Sequence, residues 1–179
     1  MDEILQKIHD CVANGKINAA SPFPPALRGK PGAAEYTQEA LKQGFKPGDI
    51  MNEAMIPAMG EVGEKFSQGK IFVPQMLMAA KAMNAGLSFI KPYFSSGDVK
   101  IKGTFIIGTV FGDMHDIGKN LVAMMVEGSG YKVIDLGIDC SVDKYEKALD
   151  ENPDAIVGLS ALLTTTMTNM KTIIDTIHS

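Results

Sequence analysis

The feature that most constrains this chain is a change of hydrophobic period near its middle. Up to residue 92, apolar side chains recur every three or four positions, the spacing of one helix face. From Thr104 onward they come as short unbroken runs rich in β-branched residues, each followed by a stretch of helical spacing. A helix stripe and a buried strand place side chains with different periods and cannot share one element. Two domains are therefore expected: a helical one over residues 1–92 and an α/β one over residues 102–179. A linker over residues 93–101 is centred on Ser95-Ser96-Gly97-Asp98.

In the first half, Ile4, Ile8 and Val12 lay one apolar face along residues 2–14. Residues 17–32 hold Pro22, Pro24, Pro25 and Pro31 with Gly29 and Gly32, which predicts a loop. A second helix is expected over 33–43, stopped by Gly44. Pro47-Gly48-Asp49 opens a third, whose inner stripe is Met51, Met55, Met59, Val62 and Phe66, with a kink expected at Pro57 and an end at Gly69. Pro74 suits the first turn of a fourth, and Met76, Ala80, Met83, Leu87 and Ile90 form its inner face. Four amphipathic helices with short links predict an up-down bundle. The twelve methionines read as flexible core filler on these faces.

In the second half, strands are expected at Thr104–Val110, Tyr131–Leu136 and Ala155–Leu159. Helices are expected from Ile117 to about Gly128, over 142–150 and from Thr166 to His178. Apolar strands alternating with helices predict a parallel, doubly wound sheet with both faces covered. Such sheets commonly have five or six strands, so the domain is expected to be incomplete at its C-terminal end.

Charge and length narrow the function. A formal net charge of −4 argues against general nucleic-acid binding. No apolar run approaches the roughly 20 residues needed to span a bilayer, and the start, Met-Asp-Glu-Ile-Leu, is unlike a signal peptide. A cytoplasmic protein is expected. Cys11 and Cys140 lie far apart and read as reduced and at least half-buried. His9 and His178 read as solvent-facing helix residues.

Residues 112–120, Gly-Asp-Met-His-Asp-Ile-Gly-Lys-Asn, carry the chemistry. They follow the first strand and open the first helix of the α/β half. They therefore sit at the carboxyl edge of a parallel sheet, where such folds bind ligands. The Asp113 carboxylate can accept the proton of one His115 ring nitrogen and leave the other free for a metal. Spacing alone leaves this reading and an ordinary hydrogen-bonded pair both open. Gly112 and Gly118 let the backbone turn and approach a large ligand. Asp116 favours a helix N-terminus. Lys119 and Asn120 either touch polar groups of a ligand or stay solvated or capping. The segment Gly158-Leu-Ser-Ala-Leu-Leu-Thr-Thr-Thr-Met167 is a hydroxyl-rich strand end and helix start, for which capping is the plain explanation.

Asp113-X-His115-X-X-Gly118 at this place in a βα unit resembles the B12-binding signature shared by cobalamin-dependent methyltransferases and mutases. The full run is close to the version in methionine synthase and in the corrinoid proteins of methyltransferase systems. Residues 61–83 look like the helical cap of the same family. The fold implied is a four-helix bundle cap followed by a flavodoxin-like or Rossmann-like B12-binding domain. The resemblance implies cobalamin or a related corrinoid as cofactor, with His115 as the lower cobalt ligand and a relay of His115, Asp113 and Thr166. Methionine synthase has serine at the Thr166 position. Cofactor contacts are implied for Gly112, Asp113, Met114, His115, Asp116, Ile117 and Gly118. They are implied too for Ser160, Leu162, Thr164 and Thr166, with Ser160 and Thr164 touching the nucleotide tail. Phe66 and Val73 align with the cap residues over the upper face, although core packing alone would explain both. The family's next strand and its Gly-Gly segment have no counterpart in the sequence.

The resemblance further implies a carrier of methyl groups between a methyl-donor methyltransferase and an acceptor methyltransferase using tetrahydrofolate or a thiol, with a reductive activator. A substrate barrel would need on the order of 250 residues, so a carrier subunit is expected, not a complete enzyme. The rival is a B12-dependent sensor or regulator lacking its output domain. A mutase subunit would not need the helical cap.

Overall fold

The computed structural model describes residues 2–93 and 101–178. The chain divides into two compact units after Lys100, except that Gly128–Gly130 group with the first.

The first unit is helical. Helix α1 (Glu3–Ala13) begins at Asp2, whose side chain accepts the Ile4 N–H at 3.2 Å. Helix α2 (Ala33–Lys42) begins at Gly32, whose N–H donates to Glu35 Oε2 at 2.8 Å. A single turn, α3 (Pro47–Asp49), continues through a π-helical stretch, Ile50–Met55, into α4 (Ile56–Ser67). Helix α5 (Val73–Ile90) follows. The kink expected at Pro57 is instead this π-helical stretch. The Ile56 N–H bonds the Met51 carbonyl, five residues back, so the ladder is widened just before the residue that has no N–H to give.

The core follows the predicted stripes with one exception. Met51, Met55, Met59 and Val62 are buried, as are Met76, Ala80, Met83, Leu87 and Ile90. Phe66, expected at the end of the α4 stripe, is 40% exposed. It sits in the last turn of α4, beyond the buried run. At Gly86 a Cβ would lie 2.5 Å from Met55 Cε and 2.8 Å from Thr37 Oγ1, so a bare backbone lets α2 and α5 approach. His9 was expected in solvent, but its side chain is 14% exposed, with Nδ1 3.2 Å from Asp10 and Nε2 3.6 Å from Glu61. His178 is exposed.

The second unit is a three-stranded parallel sheet in the order β2-β1-β3, with β1 Thr104–Thr109, β2 Lys132–Asp135 and β3 Ile156–Ser160. Helices α6 (Ile117–Gly128), α7 (Val142–Glu151) and α8 (Thr164–Ile177) alternate with the strands. Helix α8 starts two residues before the expected Thr166. Strand β1 is central and the most deeply buried, with its last four residues all buried. The core gathers Ile106, Val110, Cys140, Tyr145, Ala148 and Ile173. At Gly108 a Cβ would lie 2.6 Å from the Tyr145 hydroxyl, so no larger residue fits there without displacing the ring. Both cysteines are free and buried.

Tyr93 ends a short 3-10 turn, Lys91–Tyr93, and Ile101 precedes β1 without regular structure. The rest of the predicted linker, residues 94–100, lies outside the described residues. Among the described residues, no helix is long and apolar enough to cross a membrane.

Candidate functional site

Strand order 2-1-3 puts neighbouring strands β1 and β3 on either side of a switch point, where chains leaving the carboxyl edge diverge and leave a crevice. The loop after β1 carries Gly112 to Asp116, and the loop after β3 carries Ala161 to Leu163. The fold thus brings together two segments about fifty residues apart in sequence.

Asp113 lies at their meeting point, fully buried. Its Oδ1 accepts the His115 backbone N–H at 3.0 Å and lies 2.7 Å from His115 Nδ1. Its Oδ2 accepts the Thr166 hydroxyl at 2.6 Å and the backbone N–H groups of Leu162 and Leu163 at 2.9 and 3.3 Å. A buried carboxylate surrounded by donors is stabilised in its charged form. The Thr166 hydroxyl, followed by the backbone N–H groups of His115 and Leu162, holds the Asp113 carboxyl far below the usual carboxylate range, against the opposing effect of burial. An ionised carboxylate only accepts hydrogen bonds, so a neutral His115 ring carries its proton on Nδ1 and keeps its lone pair on Nε2.

The asymmetry of the pair matters. The His115 side chain is 53% exposed and the Asp113 side chain 0%. The carboxylate is anchored inside and the imidazole is offered to the outside. Met114 (64%), Ile117 (85%) and Leu162 (65%) stand exposed beside it, a surface suited to covering by a flat apolar ring. Among the described residues, no group of three or more His, Cys, Asp or Glu side chains is placed to hold a bare metal ion.

The remaining expected residues fall as follows. Gly112 has φ +78°, so the turn does require glycine. Gly118 does not turn the chain: it lies in α6, and a Cβ there would meet nothing within 4 Å. Its lack of a side chain leaves open space instead. Asp116 precedes α6 and accepts the Asn120 side-chain amide at 3.0 Å. Ser160 ends β3 and pairs with Thr109, while Thr164 is exposed at the first turn of α8. The N-cap of α8 is Leu163, without a side-chain cap. The distant Asp113 carboxylate instead takes the N–H groups of Leu162 and Leu163, just before the helix. Phe66 and Val73 belong to the helical unit, exposed at the end of α4 and the start of α5.

Several contacts were not anticipated. Lys119 is neither solvated nor a cap. It is buried, with Nζ 2.6 and 2.5 Å from the two oxygens of Asp135 and 2.7 Å from Asn120 Oδ1. The buried Thr109 hydroxyl donates to the His115 carbonyl at 3.0 Å, and the Asn169 amide donates to the Phe111 carbonyl at 2.7 Å. Asp139 accepts the Gly112 N–H at 2.8 Å. One signal was available: polar residues at the carboxyl ends of adjacent parallel strands share an edge.

Comparison with known proteins places the chain in a family. Two families, each described as a B12 binding domain, match residues 30–91 and 103–179. Trimethylamine corrinoid protein 1 of Methanosarcina acetivorans is 45% identical over 140 residues, 76% of this chain and 64% of that protein. The dimethylamine corrinoid protein of Methanosarcina barkeri is 39% identical over 176 residues, 97% of this chain and 76% of that protein. The chain thus spans less than two thirds of the trimethylamine relatives it matches. Among solved structures, the methanol:cobalamin methyltransferase complex MtaBC of Methanosarcina barkeri aligns with a TM-score of 0.80 at 31% identity, over 98% of this chain and 63% of that one. A cobalamin-binding protein of Desulfitobacterium hafniense aligns with a TM-score of 0.68 at 27% identity, over 97% and 76%.

Proposed function

Because the chain belongs to the family of B12-binding corrinoid proteins, we propose that it carries methyl groups between two methyltransferases, with His115 as the protein's ligand to cobalt. The bound corrinoid supplies a cobalt centre that takes up and gives up a methyl group. The protein supplies the ligand and its proton. Asp113 fixes the imidazole with the proton on Nδ1, which leaves Nε2 for the metal. Thr166 and the Leu162 and Leu163 amides keep Asp113 ionised, so a proton moved during ligand binding or release rests on the imidazole. Met114, Ile117 and Leu162 offer the apolar surface beside it. Ser160 and Thr164 stand at the strand end proposed to meet the nucleotide tail. Phe66 and Val73 are proposed to shield the upper face.

The names of the relatives point to a methylated amine as methyl source, delivered by a donor methyltransferase. We propose a thiol or tetrahydrofolate methyltransferase as acceptor and a reductive activator as third partner. The Asp113–His115 pair, buried at one end and exposed at the other, carries the reading. Its test is the absorbance spectrum of the purified chain after mixing with hydroxocobalamin and desalting, beside His115→Ala. Retained corrinoid with a spectrum that the substitution changes is expected. Retained corrinoid with the same spectrum in both would overturn His115 as ligand.

A further inference from the structure

Among the described residues, Asp139 is the one non-glycine residue with positive φ, at +51°. A Cβ makes this backbone costly, and Asp and Asn bear it best because their side chains bond locally. Such a conformation persists only where surrounding contacts compensate it. The contacts are specific. Asp139 Oδ1 accepts the Gly112 N–H at 2.8 Å, and the Asp139 N–H donates to the Asp113 carbonyl at 3.1 Å. One residue from the loop after β2 thus holds two consecutive residues of the histidine loop.

The loop that presents Asp139 is itself tied down on both sides. The Gly137 N–H donates to Asp135 Oδ1 at 2.9 Å, and buried Lys119 holds both oxygens of the same carboxylate. Thr109 and Gly137 join through a backbone bond of 2.9 Å, as do Cys140 and Thr109. Asp113 is therefore held at its carboxylate from the loop after β3 and at its main chain from the loop after β2.

We propose that Asp139 is a positioning residue for His115. By fixing the backbone at Gly112 and Asp113, it sets where the Asp113 carboxylate points and so which way the imidazole faces. The proposal rests on the reading of His115 as the cobalt ligand.

Three substitutions separate the backbone from the side chain. Asp139→Asn keeps the acceptor and the left-handed preference. Asp139→Gly keeps the backbone and loses the acceptor. Asp139→Ala loses both. The readout is nitrogen-15 NMR of the cofactor-free chain, following exchange of the Gly112 amide and the tautomer of the His115 ring. In Asp139→Gly, Gly112 is expected to exchange about tenfold faster, as fits loss of one hydrogen bond to a charged acceptor, and the ring to lose its single Nδ1-protonated form. Asp139→Ala is expected to go further. Asp139→Asn is expected to stay within about threefold of the unsubstituted chain, because a neutral acceptor is weaker but still present. Wild-type exchange and tautomer in Asp139→Gly would overturn the proposal. If that variant does not fold, a Gly112 amide in the unsubstituted chain that exchanges as fast as an unprotected one would overturn it equally. Corrinoid retention is measured in parallel: an unsubstituted chain that retains none refutes the ligand reading, while the NMR comparison still decides the positioning.

Discussion

In the helical unit the buried residues recur three or four positions apart along each helix, and the stripes that meet in the core can be read from spacing. In the α/β unit the setting of His115 is assembled from the loop after β1, the loop after β2 and the start of α8. The Thr166–Asp113 bond alone spans 53 positions. One unit is stabilised by periodic apolar contact, which tolerates local adjustment. The other holds a polar site by directional bonds to a single buried carboxylate, in which each donor has its own place. Damage to the first should cost stability and spare the site. Damage to the second should alter the site at smaller cost in stability.

The strongest test of that contrast is Met83→Ala. Met83 is fully buried in α5, and large-to-small core changes of this kind cost about 2–5 kcal/mol. Denaturant titration should show the loss, while the His115 ring keeps its Nδ1-protonated tautomer under native conditions. A changed tautomer in the folded variant would break the separation.

Thr166→Ala should do the reverse. It removes the 2.6 Å donor to Asp113, at a cost of about 1.5–3 kcal/mol for a bond to a charged group. It should also weaken retention of hydroxocobalamin. Thr166→Ser keeps the hydroxyl and should restore retention. If alanine and serine behave alike, the hydroxyl has no part in the site.

The smallest effect concerns Cys11 in α1. Burial pushes its thiol up to about 11. A raised acid is favoured in its neutral form by the folded state, so its contribution is complete below the unfolded value near 9 and fades as pH climbs toward 11. Cys11 should therefore resist alkylation at pH 8 in the native chain and react on unfolding. Rapid native alkylation would show that α1 opens readily and would weaken the view of the helical unit as one packed core.

The helix and strand alternation, the loop of residues 112–116 and the partnership of Asp113 with His115 were all legible from spacing and from position at a strand's carboxyl end. The π-helical stretch was half legible. Pro57 signals a disturbance, but whether the ladder kinks or widens depends on packing around Ile50–Met55. Phe66 and His9 were misplaced for a related reason: a stripe marks which face of a helix turns inward, not where a neighbouring helix stops covering it. Lys119 and Asp139 were not legible. Their partners, Asp135 and Gly112, lie 16 and 27 positions away, and nothing local to a lysine or an aspartate announces such a bond.

Local chemistry therefore accounts for the elements of this protein and for the presence of a histidine beside a carboxylate, because periodicity, turn preference and neighbouring side chains act over a few residues. The state of that pair belongs to the folded chain. Asp113 stays ionised because the parallel arrangement of β1 and β3 brings the Thr166 hydroxyl and the Leu162 and Leu163 amides onto one oxygen. Hydrogen bonds act only at contact distance, and only the assembled sheet closes a separation of some fifty residues.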